Sequence, residues 1–301
     1  AQTPDDPTPV GSFNITQLSL PHDKVGKDTN FRGLTIFNDV LYFTKGSGGN
    51  GVNTVYFIDT TGSVCTDTVG VGLPATFAVL PTTGIAYDPS LLQTKGVHPY
   101  NMCILKGFPT RLASSASGVA NPFGLFFADA NTLYVADEGN GDNTYSSGTM
   151  MYTAAAAQTT AGLQKWTFDS VSGSWEYRYT LTNGLNLGVP YAVAGSSPPF
   201  PSGNNPVTGL AWAPATDGIR NITGKVNDDG TVTIWGITST VSGNGDQGAD
   251  PNKLVMITDS LTNTSAAVAA TESFSTIKSA NSAEVLRGVS PAPGSESGSP
   301  E

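Results

Sequence analysis

Apolar residues in this chain gather in short runs rich in β-branched and aromatic side chains, with turn residues between them, and one order of runs returns along its length. The unit is a strand, a turn, a second strand, a glycine- and acid-rich loop, then a third strand. It reads RGLTIFNDVLYFTKGSGGNGVNTVYFID from Arg32, FGLFFADANTLYVADEGNGDN and then AGLQKWTFD from Phe123, and RNITGKVNDDGTVTIWGITSTVSGNGDQGADPNKLVMITD from Arg220. Near-continuous apolar runs of this length predict strands covered on both faces. A repeat made only of strands, with its insertions at one fixed point, predicts the blade of a β-propeller. The expected fold is therefore all-β, a β-propeller of about five to seven blades. KVNDDGTV is the clearest hairpin, with Asp229 and Gly230 as the residues that tolerate positive φ. Weaker units are expected at TGIAYDP with YNMCILKGF, and at RGVSPAP from Arg287.

That last unit is truncated. A propeller closes when a strand from one terminus completes a blade begun at the other, and SFNITQLSL near the N-terminus is the natural partner for RGVSPAP. One strand from each end makes only half a blade. Either one blade of the ring is degenerate, or the chain is a processed part of a longer ring whose remaining blades lay upstream of Ala1. The expected organisation is a mobile leader over residues 1–11, a single propeller domain over 12–290 and a disordered tail over 291–301. GSSPPFPSGNNP, from Gly195 to Pro206, is expected to be a surface loop.

Composition fits that picture and narrows the partners. The chain has 301 residues, of which 35 are glycine and 20 proline, and only 13% are charged, a profile of short strands and turns rather than helical bundles. A formal charge of −10 opposes binding to nucleic acid or to an anionic membrane. No apolar run approaches the roughly 18 residues of a membrane-spanning helix, so no membrane insertion is expected. Acceptor sequons at Asn14, Asn221 and Asn263, with few lysines and many threonines and serines, point to a secreted, extracellular glycoprotein. Asn14 and Asn263 are expected to accept glycan, whereas Asn221 follows Arg220 into a strand and is not. Cys65 and Cys103 are then expected to form a disulfide between neighbouring sheets.

FRGLTIF, KGSGGNGVNTVY, NPFGLFFADANTLYVADEG, AGLQKW, ATDGIRNITG and STVSGNGDQGADPNKL together resemble a group of secreted β-propeller proteins of bacteria and fungi, which stand loosely beside the NHL and gluconolactonase-like propellers. The resemblance covers most of the chain from about Asn30 onward. It implies fold and secretion, and it carries over no catalytic residue.

Candidate chemistry comes from blade geometry. Arg32, Arg220 and Arg287 occupy one equivalent place, the start of an innermost strand, and are expected to converge on the mouth of the central channel. The loops between second and third strands reach the same face and add Lys45, Asn53, Asp137, Glu138, Asp142, Asp246 and Asp250. Grouped guanidinium forks suit carboxylate or phosphate, because each donates two parallel hydrogen bonds. The competing reading is that each arginine pairs with an acid of the next blade and locks the blades together. GGNGVNTVY from Gly48 resembles one copy of a calcium-binding nonapeptide, with Asn53 where an aspartate is expected, and Asp137, Asp142, Asp246 and Asp250 are the acids available to such a cation. GSGGNG from Gly46 lies between strands and opens no helix, so it is no dinucleotide site. His22 and His98 alone exclude a three-histidine metal site within the chain.

Two functions follow. The favoured one is a binding or scaffold propeller whose upper face meets a polysaccharide, a glycoprotein or another subunit, with acidic carbohydrate as one ligand. The rival is an enzyme of the lyase or lactonase type acting on an acidic sugar, with Asp137 or Glu138, and calcium, acting on the proton or water.

Overall fold

A computed structural model describes residues 31–46, 52–58, 64, 71–74, 102–110, 120–195, 203–243 and 248–292. The class is all-β: the only helices among the described residues are single turns, α1 at Thr153–Ala156 and α2 at Ala266–Ala269. The chain divides into two compact units, 1–119 and 120–301.

The described strands of the first unit form one sheet. β1 (Phe31–Phe37), β2 (Val40–Lys45), β3 (Thr54–Ile58) and β5 (Met102–Leu105) run antiparallel in that order, and β4 (Val71–Gly72) adds to β5 in parallel. Asn38 and Asp39, at φ 47° and 59°, connect Phe37 directly to its partner Val40. Two successive left-handed residues match the twist of the strands they join, and Asn and Asp tolerate them best. Phe43 stacks on Tyr56, with ring centroids 5.4 Å apart, and Tyr56 donates its hydroxyl to the Val52 carbonyl at 2.8 Å.

The second unit holds two four-stranded antiparallel meanders. One runs β6 (Pro122–Asp129), β7 (Thr132–Asp137), β10 (Gly162–Asp169) and β11 (Ser174–Leu181). The other runs β12 (Ala215–Val226), β13 (Thr231–Val241), β14 (Lys253–Ser260) and β15 (Ser275–Ser279). A hairpin, β8 (Tyr145–Ser146) with β9 (Met151–Tyr152), stands within the long connection from β7 to β10. Their facing sides share one apolar core: Tyr134, Ala136, Leu163, Tyr179 and Leu181 from the first sheet meet Ile219, Val232, Ile234, Val255 and Ile257 from the second. At about 25 cal/mol per Å² of apolar surface, such a face is the main force holding the two meanders together.

β6 and β12, the first strands of the two meanders, pass unusually close. A Cβ added to Gly124 would lie 2.5 Å from the Arg220 carbonyl oxygen, so no side chain fits there.

Two expectations change on the fold. RGVSPAP forms no strand over its described part, since residues 281–292 contain none. Asp229 takes no positive φ: Gly230 alone does at that turn (φ 80°), while Asp229 accepts the backbone N–H of Thr231 at 3.0 Å and its hydroxyl at 2.6 Å. Within each unit the described strands form antiparallel sheets, with β4 the one strand that adds in parallel. The leader, SFNITQLSL with Asn14, both histidines, Cys65, Asp246 and most of the tail lie outside the described residues.

Candidate functional site

The loop after β7 opens the acid-rich end of the second unit. Asp137 ends the strand fully buried, and its carboxylate accepts the Asn121 N–H at 2.9 Å, the Gly139 N–H at 2.9 Å and the Gln164 side-chain amide at 3.2 Å. Burial pushes this carboxyl up to about 6, against the pull of the two backbone N–H groups, with Glu138 and Asp217 adding repulsion. Asp142 is exposed and turned back on its own loop, accepting Thr144 N–H at 2.9 Å and Thr144 hydroxyl at 2.6 Å. These Asx turns account for the acids and asparagines of the loop by backbone needs alone.

Across from this loop lies β12. Asp217, fully buried, accepts the Gly141 N–H at 2.9 Å and the Gln158 side-chain amide at 2.5 Å. Gly139 (φ 80°) and Gly218 make the approach possible: added Cβ atoms would lie 2.4 Å from Asp217 Oδ2 and 2.3 Å from the Asp137 carbonyl oxygen. Ser239 of β13 completes the seat by donating its hydroxyl to the Glu138 carbonyl at 2.5 Å.

Arg220 rests on that seat. Its Nε donates to Glu138 Oε2 at 2.8 Å, with the Glu138 side chain fully buried and the arginine side chain 18% exposed. The guanidinium carbon lies 5.3 Å from the centre of the Phe123 ring. Its Nη1 sits against the Gly248 backbone, where an added Cβ would be 2.3 Å away. Of the predicted residues in this unit, the structure thus brings together Asp137, Glu138 and Arg220.

The others fall elsewhere. Arg220 is not at a strand start, because β12 begins at Ala215 and continues through a bulge between Thr216 and Gly218. Arg287 is exposed outside any strand, so the expected equivalence of the three arginines does not hold. Asp250 is buried ahead of β14. Arg32 is the second residue of β1, Lys45 ends β2 fully buried and Asn53 is buried just before β3, all in the first unit. Cys103, in β5, is disulfide-bonded. Asn263 shows a further difference. Its Nδ2, the atom a glycan would occupy, is buried, and its Oδ1 accepts the Ser265 N–H at 2.9 Å. Among the described residues, no group of three or more His, Cys, Asp or Glu side chains is placed to hold a metal ion.

Sequence reasoning missed a second charged cluster, sealed between the two meanders. Lys165 of β10 and Asp259 of β14 pair at 3.0 Å, and both side chains are wholly buried. Asp259 also accepts the Tyr134 hydroxyl at 2.5 Å and the Tyr179 hydroxyl at 2.8 Å. Lys165 Nζ donates to the Ser260 and Leu261 carbonyls at 2.6 and 3.1 Å. Burial drives the ammonium of Lys165 down and both phenols up. Glu272, beyond α2, is pushed up to about 7 by burial and by the charge of Asp259. A lone lysine in the apolar run GLQKWTF and an aspartate closing LVMITD were the only sequence signals of this cluster.

No protein-family model matches the chain, and no curated protein matches it.

Proposed function

We propose that this chain is an extracellular binding or scaffold protein built as a β-propeller, of the kind the secreted bacterial and fungal propellers exemplify. Support for the propeller comes from the two consecutive four-stranded meanders, packed face to face with their first strands adjacent, as successive blades are. Its partners are a polysaccharide, a glycoprotein or another subunit.

The observation that carries the binding reading is the posture of Arg220. Glu138 takes its Nε, the Phe123 ring lies beside the guanidinium and Nη1 packs on the Gly248 backbone, while the side chain keeps an exposed fraction. A fork held in this way loses little entropy on engaging a carboxylate, which favours uronic acids among carbohydrates. Glu138, Asp137 and Asp217 make the surroundings acidic, so affinity has to come from the paired hydrogen bonds of the fork rather than from a long-range field. The acids themselves are engaged by backbone amides, glutamines and Arg220, which suits a rigid binding surface better than proton transfer. Calcium has no part in this reading.

Titration calorimetry with a uronic-acid oligosaccharide tests it. Arg220→Lys keeps the charge but removes the fork, and binding is expected to weaken by about 1.5 to 3 kcal/mol, the range for a hydrogen bond to a charged group. EDTA should leave binding unchanged. Equal affinity of the parent and the lysine variant, or no binding by the parent, would remove the carbohydrate reading.

A further inference from the structure

Beyond that reading, the sealed cluster has the parts of a self-acylating site. We propose that Lys165 and Asp259 condense spontaneously to an intramolecular amide, joining β10 to β14 and so tying one meander covalently to the next.

Three features of the geometry lead there. The first is the nucleophile: two of the three N–H bonds of Lys165 are taken by the Ser260 and Leu261 carbonyls, and the third meets Asp259 at 3.0 Å. When that third proton passes to the carboxylate, the lone pair it leaves faces the Asp259 carboxyl group, whose Oδ2 lies 3.0 Å away. The second is the electrophile. The hydroxyls of Tyr134 and Tyr179 both donate to Asp259, at 2.5 and 2.8 Å, and are placed to stabilise the oxyanion of a tetrahedral intermediate. The third is a proton carrier: Glu272, whose Oε2 is buried without a hydrogen-bond partner, feels the Asp259 charge, which together with burial raises its carboxyl to about 7.

The balance is simple. Proton transfer within the ion pair gives a neutral amine and a carboxylic acid. Nζ forms a bond to Cγ of Asp259, and one C–O bond of the carboxyl breaks. Glu272 gives its proton to the departing hydroxyl and recovers one from the nitrogen, so it ends as it began, and one water leaves. No oxidant, metal or second protein is needed. The enclosure also favours the product, because two fully buried charges, costly to keep out of water, become one neutral amide.

Intact mass spectrometry of the purified, disulfide-reduced chain decides the matter. The amide predicts a mass below that of the sequence by one water, about 18 Da, and a branched tryptic peptide joining Lys165 to Asp259. Asp259→Asn should instead lose ammonia, about 17 Da, since the same attack then expels the amide nitrogen. Lys165→Arg, which retains the charge, should show the full sequence mass. Glu272→Gln, checked for its fold by circular dichroism, should slow or abolish the loss. A parent chain at full sequence mass, or a water loss that maps to any other pair, overturns the proposal. Unchanged condensation in Glu272→Gln overturns the role given to Glu272.

Discussion

Two acid–base pairs of the second unit differ in their access to water. Arg220 and Glu138 meet at the end of a strand, with the arginine partly exposed, whereas Lys165 and Asp259 meet where both side chains are wholly buried. At the first site water still screens the charge, so the pair fixes the posture of a side chain. At the second, desolvation lowers the lysine and raises Tyr134, Tyr179 and Glu272. The same kind of pair thus fixes a partly exposed guanidinium at one place and encloses an ammonium without water at the other. Lysine suits the second place because its ammonium gives up a proton when buried, and arginine suits the first because it does not.

The comparison is broken most severely at the sealed pair. Lys165→Met leaves the Asp259 carboxyl buried without the nitrogen that pairs or bonds with it, and is expected to cost about 3 to 5 kcal/mol in chemical denaturation. A loss below about 1 kcal/mol, the level of an exposed pair, would erase the distinction between the two sites. Arg220→Ala should be milder, about 1.5 to 3 kcal/mol by the same measurement, because the gap it opens beside Glu138 can take up water.

Two further changes sharpen the picture at the rim. Gly139→Ala places a Cβ against Asp217 at a left-handed φ, and should cost about 1 to 3 kcal/mol; a neutral result would show that the acid loop is not seated on β12. The pH dependence of stability comes next. The carboxyl of Asp137 is raised from 3.8 to about 6, so between those values the folded chain holds a proton that the unfolded chain has released. Its contribution is therefore complete at the acid end and is lost as pH rises through about 6. Relative to the parent, Asp137→Asn should flatten the melting temperature over that window, and an identical slope in both would contradict the assignment. The smallest effect is expected at Asp142, whose exposed turn should lose no more than about 0.5 kcal/mol on change to alanine.

Glycan mapping probes the same contrast of access. With its Nδ2 buried, Asn263 should carry little or no glycan when the chain is expressed in a eukaryotic host, and full occupancy at that position would mean that the loop opens.

Much of the strand content was written in the chain itself. The runs from Arg32, Phe123 and Arg220 became β1 to β3, then β6, β7 and β10, then β12 to β14, with the acid-rich loops between second and third strands. Continuous apolar runs bounded by Gly, Asn and Asp have no other way to bury themselves and satisfy their backbones. What the pattern could not set was where β12 begins: the run reads from Arg220, whereas the strand starts at Ala215 and brings Gly218 against the β7 loop. Nor could it fix which charges meet. Lys165 and Asp259 are far apart in sequence, and each looks like an ordinary interruption of an apolar run. Only the face-to-face packing of two meanders brings them within 3.0 Å and removes the water between them, and burial of a charge is a property of neighbours, not of the residue that carries it.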